Sequence, residues 1–171
     1  MGDKLEYTGR VWAFGDSVDT DQILPGYAMS APREKLGQYA MAGSQVPDFA
    51  KQIQAGDIIV AGRNFGAGSS REQAPVALKD AGVGLVIASS FARIFRRNAI
   101  NIGLPVLVAE VADKVTSGQT ITANVRTGKI TLTDGQVVDG QIPGDSVLAI
   151  LTAGGLIPKI RQQLAQNGRK G

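Results

Sequence analysis

The 171-residue sequence contains no cysteine and no histidine. Without cysteine, the chain can form no disulfide, zinc ribbon, thiol nucleophile or iron–sulfur cluster of its own. Without histidine, it lacks the commonest transition-metal ligand and the usual general base near neutral pH, so a Ser-His-Asp triad is excluded. Any catalysis rests on Ser, Asp, Glu, Lys, Arg or Tyr, or on groups supplied by another chain. Aromatic residues make up 5% of the sequence, too few for a base-stacking platform. Despite a net charge of +3, the lysines and arginines are scattered, so no nucleic-acid partner is expected. The local basic groups, Arg93, Arg96 and Arg97, and Arg169 with Lys170, read as solvated surface. No segment approaches the roughly 18 uninterrupted apolar residues of a membrane span. Met1 to Glu6 carries no apolar leader core. No membrane partner and a cytoplasmic location are therefore expected.

With 43% hydrophobic residues, the chain can build one core, and a single domain spanning residues 1–171 is expected. The alternation in Arg10 to Gly15 predicts a strand, and Asp19 to Gly26 predicts a loop closed by Pro25-Gly26. Residues 33–43 are compatible with a short helix. Asp57 to Ala61, Val83 to Ala88 and Leu104 to Val108 are short apolar strands. Helical composition separates them at Arg71 to Ala81 and Phe91 to Asn98. In the second of these, Phe91, Ile94 and Phe95 fall at helical spacing, and Ser89 or Ser90 would be the N-cap. Strands alternating with helices predict an α/β fold with a parallel strand-helix core. Thr120 to Val125 and Lys129 to Thr133 alternate around Arg126-Thr127-Gly128 and predict an added β-hairpin, with another strand at Val137 to Ile142. A terminal helix is expected at about 156–168, with Ile157, Ile160 and Leu164 on one face.

The segment richest in chemistry runs from Gly62 to Gln73. Glycines at 62, 66 and 68 let the backbone bend and approach a ligand, and a following helix start presents N–H groups without intrahelical partners. One reading makes Ser69 or Ser70 a helix cap, with Glu72 or Gln73 completing a capping box. Another makes the loop a non-catalytic anion-binding module that acts by docking to a partner. Nucleotide loops are excluded, because neither Gly-Lys-Ser/Thr nor Gly-x-Gly-x-x-Gly is present.

The run from Asn64 to Pro75, NFGAGSSREQAP, resembles the catalytic loop of the aconitase swivel domain and of the small subunits of isopropylmalate dehydratase and homoaconitase. Two further blocks resemble the same family in the same order: Asp16 to Pro25, with its Asp-Thr-Asp at 19–21, and Ser89 to Pro105. The resemblance implies a single swivel-type α/β domain with extra barrel-like strands. It also implies a heteromeric hydro-lyase in which no cofactor is bound by this chain and a 4Fe-4S cluster sits on a large partner subunit. Ser69 would be the base, supported by backbone N–H groups of residues 66–71. Arg71 would hold a substrate carboxylate, Asp21 would orient donors or arginines, and Ser70 and Gly68 would contact a small dicarboxylic acid substrate.

In this family the loop after Asp-Thr-Asp reads the variable group of the substrate, and enzymes for tricarboxylic acids place an arginine there. The matching residues here, Tyr27, Ala28 and Met29, carry no charge. The resemblance therefore implies an alkylmalate, isopropylmalate above homoaconitate or citrate, with dimethylmalate satisfying the same loop. Arg33 lies close enough in sequence to fold back onto it.

Overall fold

The structure is a computed structural model and describes residues 4–168. In chain order it contains β1 (Glu6–Ala13), α1 (Thr20–Ile23), α2 (Phe49–Gln52), β2 (Ile58–Ala61), α3 (Gln73–Ala81), β3 (Leu85–Ala88), α4 (Arg93–Asn101), β4 (Val106–Val108), β5 (Thr120–Asn124), β6 (Lys129–Thr131), β7 (Val137–Asp139), α5 (Asp145–Ala153) and α6 (Leu156–Gly168). Short 3-10 helices occupy Gly26–Ser30 and Arg33–Tyr39. The seven strands form one sheet in the order β4-β3-β2-β1-β5-β6-β7. The α/β class, with a parallel core and an antiparallel extension, is as the sequence predicts.

Strand β1 is the seam between the two halves. Its C-terminal part, Val11 to Ala13, runs parallel to β2, while Glu6 to Arg10 pairs antiparallel with β5. The pattern Arg10 to Gly15 shows only the first of these roles, so the strand begins four residues earlier than its alternation suggests. All four residues of β2 and of β3 are buried, as expected of parallel strands covered on both faces. By contrast β5 alternates, with Ile121 and Ala123 buried between more exposed neighbours.

The helices depart from expectation in instructive ways. α4 begins at Arg93 behind Ala92, with no side-chain cap. Ser90 Oγ instead accepts the Asn64 N–H at 2.8 Å, and Ser89 Oγ donates to Glu110 Oε2 at 3.2 Å. Phe95 is buried, but Ile94 is 43% exposed. Helix α5 has no clear periodic signature, because Val147, Leu148, Ile150 and Leu151 form a dense apolar run that a strand would also give. Helix α6 packs against α5 and α4, yet its apolar face, Ile157, Ile160 and Leu164, lies open to solvent. Arg169 and Lys170 lie outside the described residues. Among the described residues, no helix is long and apolar enough to cross a membrane.

One buried charge ties the parallel half together. Asp57, 4% exposed, precedes β2, and its Oδ2 accepts from Trp12 Nε1 at 2.9 Å, Arg10 Nη2 at 3.0 Å and the Gln54 N–H at 2.9 Å. The Arg10 guanidinium also lies 5.2 Å from the centre of the Trp12 ring. Burial alone would push the Asp57 carboxyl up. The hydrogen bonds from Trp12, Gln54 and Arg10, with the Arg10 charge, outweigh it and hold the group below the usual carboxylate range. A depressed folded value means that this contribution is present above the ordinary carboxylate range and is lost as pH falls through the folded value. Asp57→Ala should lower the unfolding free energy by about 2–4 kcal/mol at neutral pH, measured by urea denaturation. Asp57→Asn should flatten the part of the stability loss seen below about pH 4.

Candidate active site

The parallel strands β1, β2 and β3 end at one edge of the sheet, and the segments after them keep pairing where the strands stop. Gly62 N–H donates to Gly15 O at 3.1 Å, Ser17 N–H to Arg63 O at 2.7 Å, Gly66 N–H to Val18 O at 2.7 Å and Thr20 N–H to Ala67 O at 2.8 Å. On its other side the same loop receives Ser89 N–H on Gly62 O at 3.0 Å and Ala92 N–H on Phe65 O at 2.9 Å, and Phe65 N–H donates to Ser90 O at 3.0 Å. The glycine-rich segment is thus clamped between the Asp-Thr-Asp segment and the segment leading into α4. Sites in open α/β sheets lie in this position, beyond the carboxyl ends of parallel strands.

Glycine is required at 66. Its φ is +85°, and a Cβ there would stand 2.3 Å from Cγ of Phe95. Phe95 in turn packs edge-on against Phe65, with ring centres 5.3 Å apart. The aromatic cluster under the loop therefore uses the space that a side chain at 66 would take.

Ser69 and Ser70 do not cap α3. The position before that helix is Glu72, with no side-chain cap. The Ser69 side chain turns toward α1, and its Oγ lies 3.1 Å from Oγ1 of Thr20. Two of the N–H groups expected to face an anion are also committed, that of Gly66 to Val18 O and that of Arg71 to Ser69 O at 2.9 Å. Ser69 and Ser70 are both exposed.

Arg71 is largely buried, its side chain 21% exposed. Its Nη1 donates to Leu24 O at 2.9 Å and forms an ion pair with Asp21. The guanidinium thus lies between the Leu24 carbonyl and the Asp21 carboxylate. Asp19 takes the capping role at α1, its Oδ1 accepting the Gln22 N–H at 2.9 Å.

A cavity of about 450 Å³ opens beside these groups, lined by Thr20, Gly68, Ser69, Ser70 and Arg71 on one side and by Arg93, Ile94, Phe95, Arg97 and Asn98 on the other. It brings together Ser69, Ser70, Gly68 and Arg71 as the sequence suggests, with Asp21 reaching it through Arg71. Tyr27, Ala28 and Met29 do not line it. The 3-10 turn at Gly26–Ser30 buries Ala28 to 1% exposure and packs Met29 against the core, while Tyr27, 70% exposed, meets Tyr39 edge-on. Arg33 does not fold back onto this turn, because it is paired with Asp80.

Thr20 and the α4 residues lie within the Asp19–Asp21 and Ser89–Pro105 blocks, yet their residue types alone point to no role at a site. Thr20 is 3% exposed and looks like an ordinary buried β-branched residue, and Arg93 and Arg97 look like surface charge until the fold turns them toward the cavity. Among the described residues, no three acidic side chains gather into a possible metal site. With no cysteine either, these residues do not fit an iron–sulfur cluster.

The aconitase C-terminal domain family matches residues 20–111, which contain the loop, the residues lining the cavity, the second and third of the parallel-end segments and Thr20 of the first. The chain belongs to the aconitase family. Relatives in this family cover nearly its whole length. The isopropylmalate/citramalate isomerase small subunit of Methanocaldococcus jannaschii is 50% identical over 93% of this chain and 96% of its own. The methanogen homoaconitase small subunit of Methanothermobacter thermautotrophicus is 55% identical over 87% of each. The crystal structure of 3-isopropylmalate dehydratase from Methanocaldococcus jannaschii superposes with a TM-score of 0.91 at 40% identity, covering 97% of this chain and 99% of that one. This aconitase-family chain is therefore similar along nearly its whole length to proteins named as small subunits.

Because Phe95 fills the space above residue 66, Gly66→Ala should destabilise the fold by about 2–4 kcal/mol. The expected readout is a lower urea midpoint. An unchanged midpoint would mean that the loop can lift from the aromatic cluster.

Proposed function

We propose that the chain is the small subunit of a hydro-lyase that interconverts 2-isopropylmalate and 3-isopropylmalate by dehydration and rehydration, a step of leucine biosynthesis. The large partner subunit carries the 4Fe-4S cluster, which as a Lewis acid would assist departure of the substrate hydroxyl. The observation that carries this reading is the joint placement of Ser69 and Arg71 at an open cavity, on a chain half identical to an isomerase small subunit along nearly its whole length. In this reading residues 1–171 act as one swivel-type domain, and the complex is cytoplasmic.

On this chain the chemistry is that of a base and an anion clamp. Ser69 Oγ, as the alkoxide, takes the proton from the carbon next to a substrate carboxylate. The electrons of that C–H bond form the double bond as hydroxide leaves the neighbouring carbon, and the reverse steps add water at the other carbon. Arg71, steadied by Asp21 and Leu24 O, offers a planar fork to the carboxylate. Ser70 and Gly68 complete the wall beside it. An exposed serine is a poor base in water, and the partner subunit, closing over Ser69, would remove that water.

Substrate choice follows from what faces the cavity. Ala92, Ile94 and Phe95 give it an apolar side suited to an alkyl group. Arg33, tied to Asp80, is not positioned to pair with a third carboxylate. A second reading, homoaconitate or another tricarboxylic acid, is favoured by Arg93 and Arg97, which line the same cavity and could pair with an extra carboxylate. The homoaconitase small subunit at 55% identity supports the same alternative.

The chain alone should be inactive. Combined with its large subunit under reducing, oxygen-free conditions, it should hydrate an alkylmaleate. Ser69→Ala should reduce kcat by about a thousandfold or more while the complex still co-elutes in size exclusion. For the assembled pair, kcat/KM for isopropylmalate should exceed that for homoaconitate and citrate by about a hundredfold. The reverse order would establish the tricarboxylate reading and assign Arg93 and Arg97 to substrate.

A further inference from the structure

Thr20 is a buried polar residue with no structural need of its hydroxyl. The cap of α1 is supplied by Asp19, and the Thr20 backbone N–H and C=O are already paired, with Ala67 O at 2.8 Å and Leu24 N–H at 2.8 Å. At 3% exposure the site would accept valine by volume and hydrophobicity. A buried hydroxyl is costly unless it is hydrogen-bonded, and the Thr20 Oγ1 bonds Ser69 Oγ at 3.1 Å, across 49 residues of sequence. The approach is fixed from both sides. The Thr20 N–H holds the loop at Ala67, and Gly68, at φ +104°, passes so close that a Cβ there would stand 3.2 Å from Thr20 Oγ1.

We infer that Thr20 is a positioning residue for Ser69, donating its hydroxyl proton to Ser69 Oγ and stabilising the alkoxide. This inference rests on Ser69 being the base. A neutral serine can donate or accept in this pair, but an alkoxide can only accept, so deprotonation of Ser69 fixes Thr20 as the donor. The hydroxyl then acts as a preorganised donor, held in place before the charge develops. It supplies what the loop's Gly66 and Arg71 N–H groups do not, because both are spent on backbone carbonyls.

The test uses the complex assembled with the large subunit and compares Thr20→Ser with Thr20→Ala, which share the loss of the methyl and differ in the hydroxyl. Thr20→Val, which is isosteric and lacks the donor, serves as a second donor-free variant whose thermal midpoint reports on folding. Thr20→Ala and Thr20→Val are expected to lower kcat about tenfold to a hundredfold, with KM changed by less than about threefold. Loss of the donor raises the Ser69 pKa, so the rising limb of the kcat–pH profile should move up by about one unit. Thr20→Ser should recover most of the rate and the original limb. Equal losses in Thr20→Ser and Thr20→Ala would show that the methyl packing matters and would overturn the inference, as would wild-type rates in Thr20→Ala. Ser69→Ala separates the two levels. If it is inactive, a normal Thr20→Ala refutes only the role of Thr20. If it retains full activity, the base assignment fails and the Thr20 role fails with it.

Discussion

The active edge depends on backbone pairing that outlasts the strands. From Gly15 to Thr20, Gly62 to Ala67 and Ser89 to Ala92, three segments exchange N–H···O bonds as if the parallel sheet continued, although few of these residues have regular strand geometry. Each segment alone is a flexible, glycine- or serine-rich stretch. Joined, they leave Ser69 little freedom, because the loop is fixed at Gly66 and Ala67 just before it and Arg71 is anchored just after it. The placement of Ser69 is therefore created by long-range pairing and not by local helix capping. Side chains reinforce the clamp as well, with Asp16 Oδ1 accepting the Arg63 N–H at 2.7 Å, Ser90 Oγ accepting the Asn64 N–H at 2.8 Å and the Phe65 and Phe91 rings meeting edge-on.

This arrangement also divides labour between charge and burial. Arg71 is sheltered and tied down, whereas Ser69 is exposed. A guanidinium stays charged in either setting, so it can be fixed in advance without losing function. A serine gains basicity only when water is removed and donors are in place. The chain thus presents the permanently charged group sheltered and tied down and the serine open beside it.

Much of the architecture was legible in the residues. Short apolar runs such as Ile58 to Ala61 and Leu85 to Ala88 are buried on both faces, and the hairpin at Arg126-Thr127-Gly128 follows from alternation and turn chemistry. The glycine loop is visible too, as are Ser69 and Arg71. Helix caps were less legible, because Ser69, Ser89 and Ser90 all direct their hydroxyls to distant partners, and nothing local in the sequence distinguishes such a serine from a cap. Helix α5 is hidden by its own hydrophobicity. The apolar face of α6 was visible, but its exposure was not, because periodicity marks a face that can be buried without saying that this chain buries it. Thr20 is the clearest case. Its burial is ordinary for a β-branched residue, and only the fold reveals that its hydroxyl meets Ser69.

The turn at Gly26–Ser30 is fastened to the core by the methyl of Ala28 and by Met29, while Tyr27 and Ser30 stand outside it. A segment held by so few side chains behaves as an exchangeable cassette. Its outward residues can be replaced without disturbing the sheet or the clamp that fixes Ser69. Selection acting on such a turn can remodel its outer face while leaving folding alone.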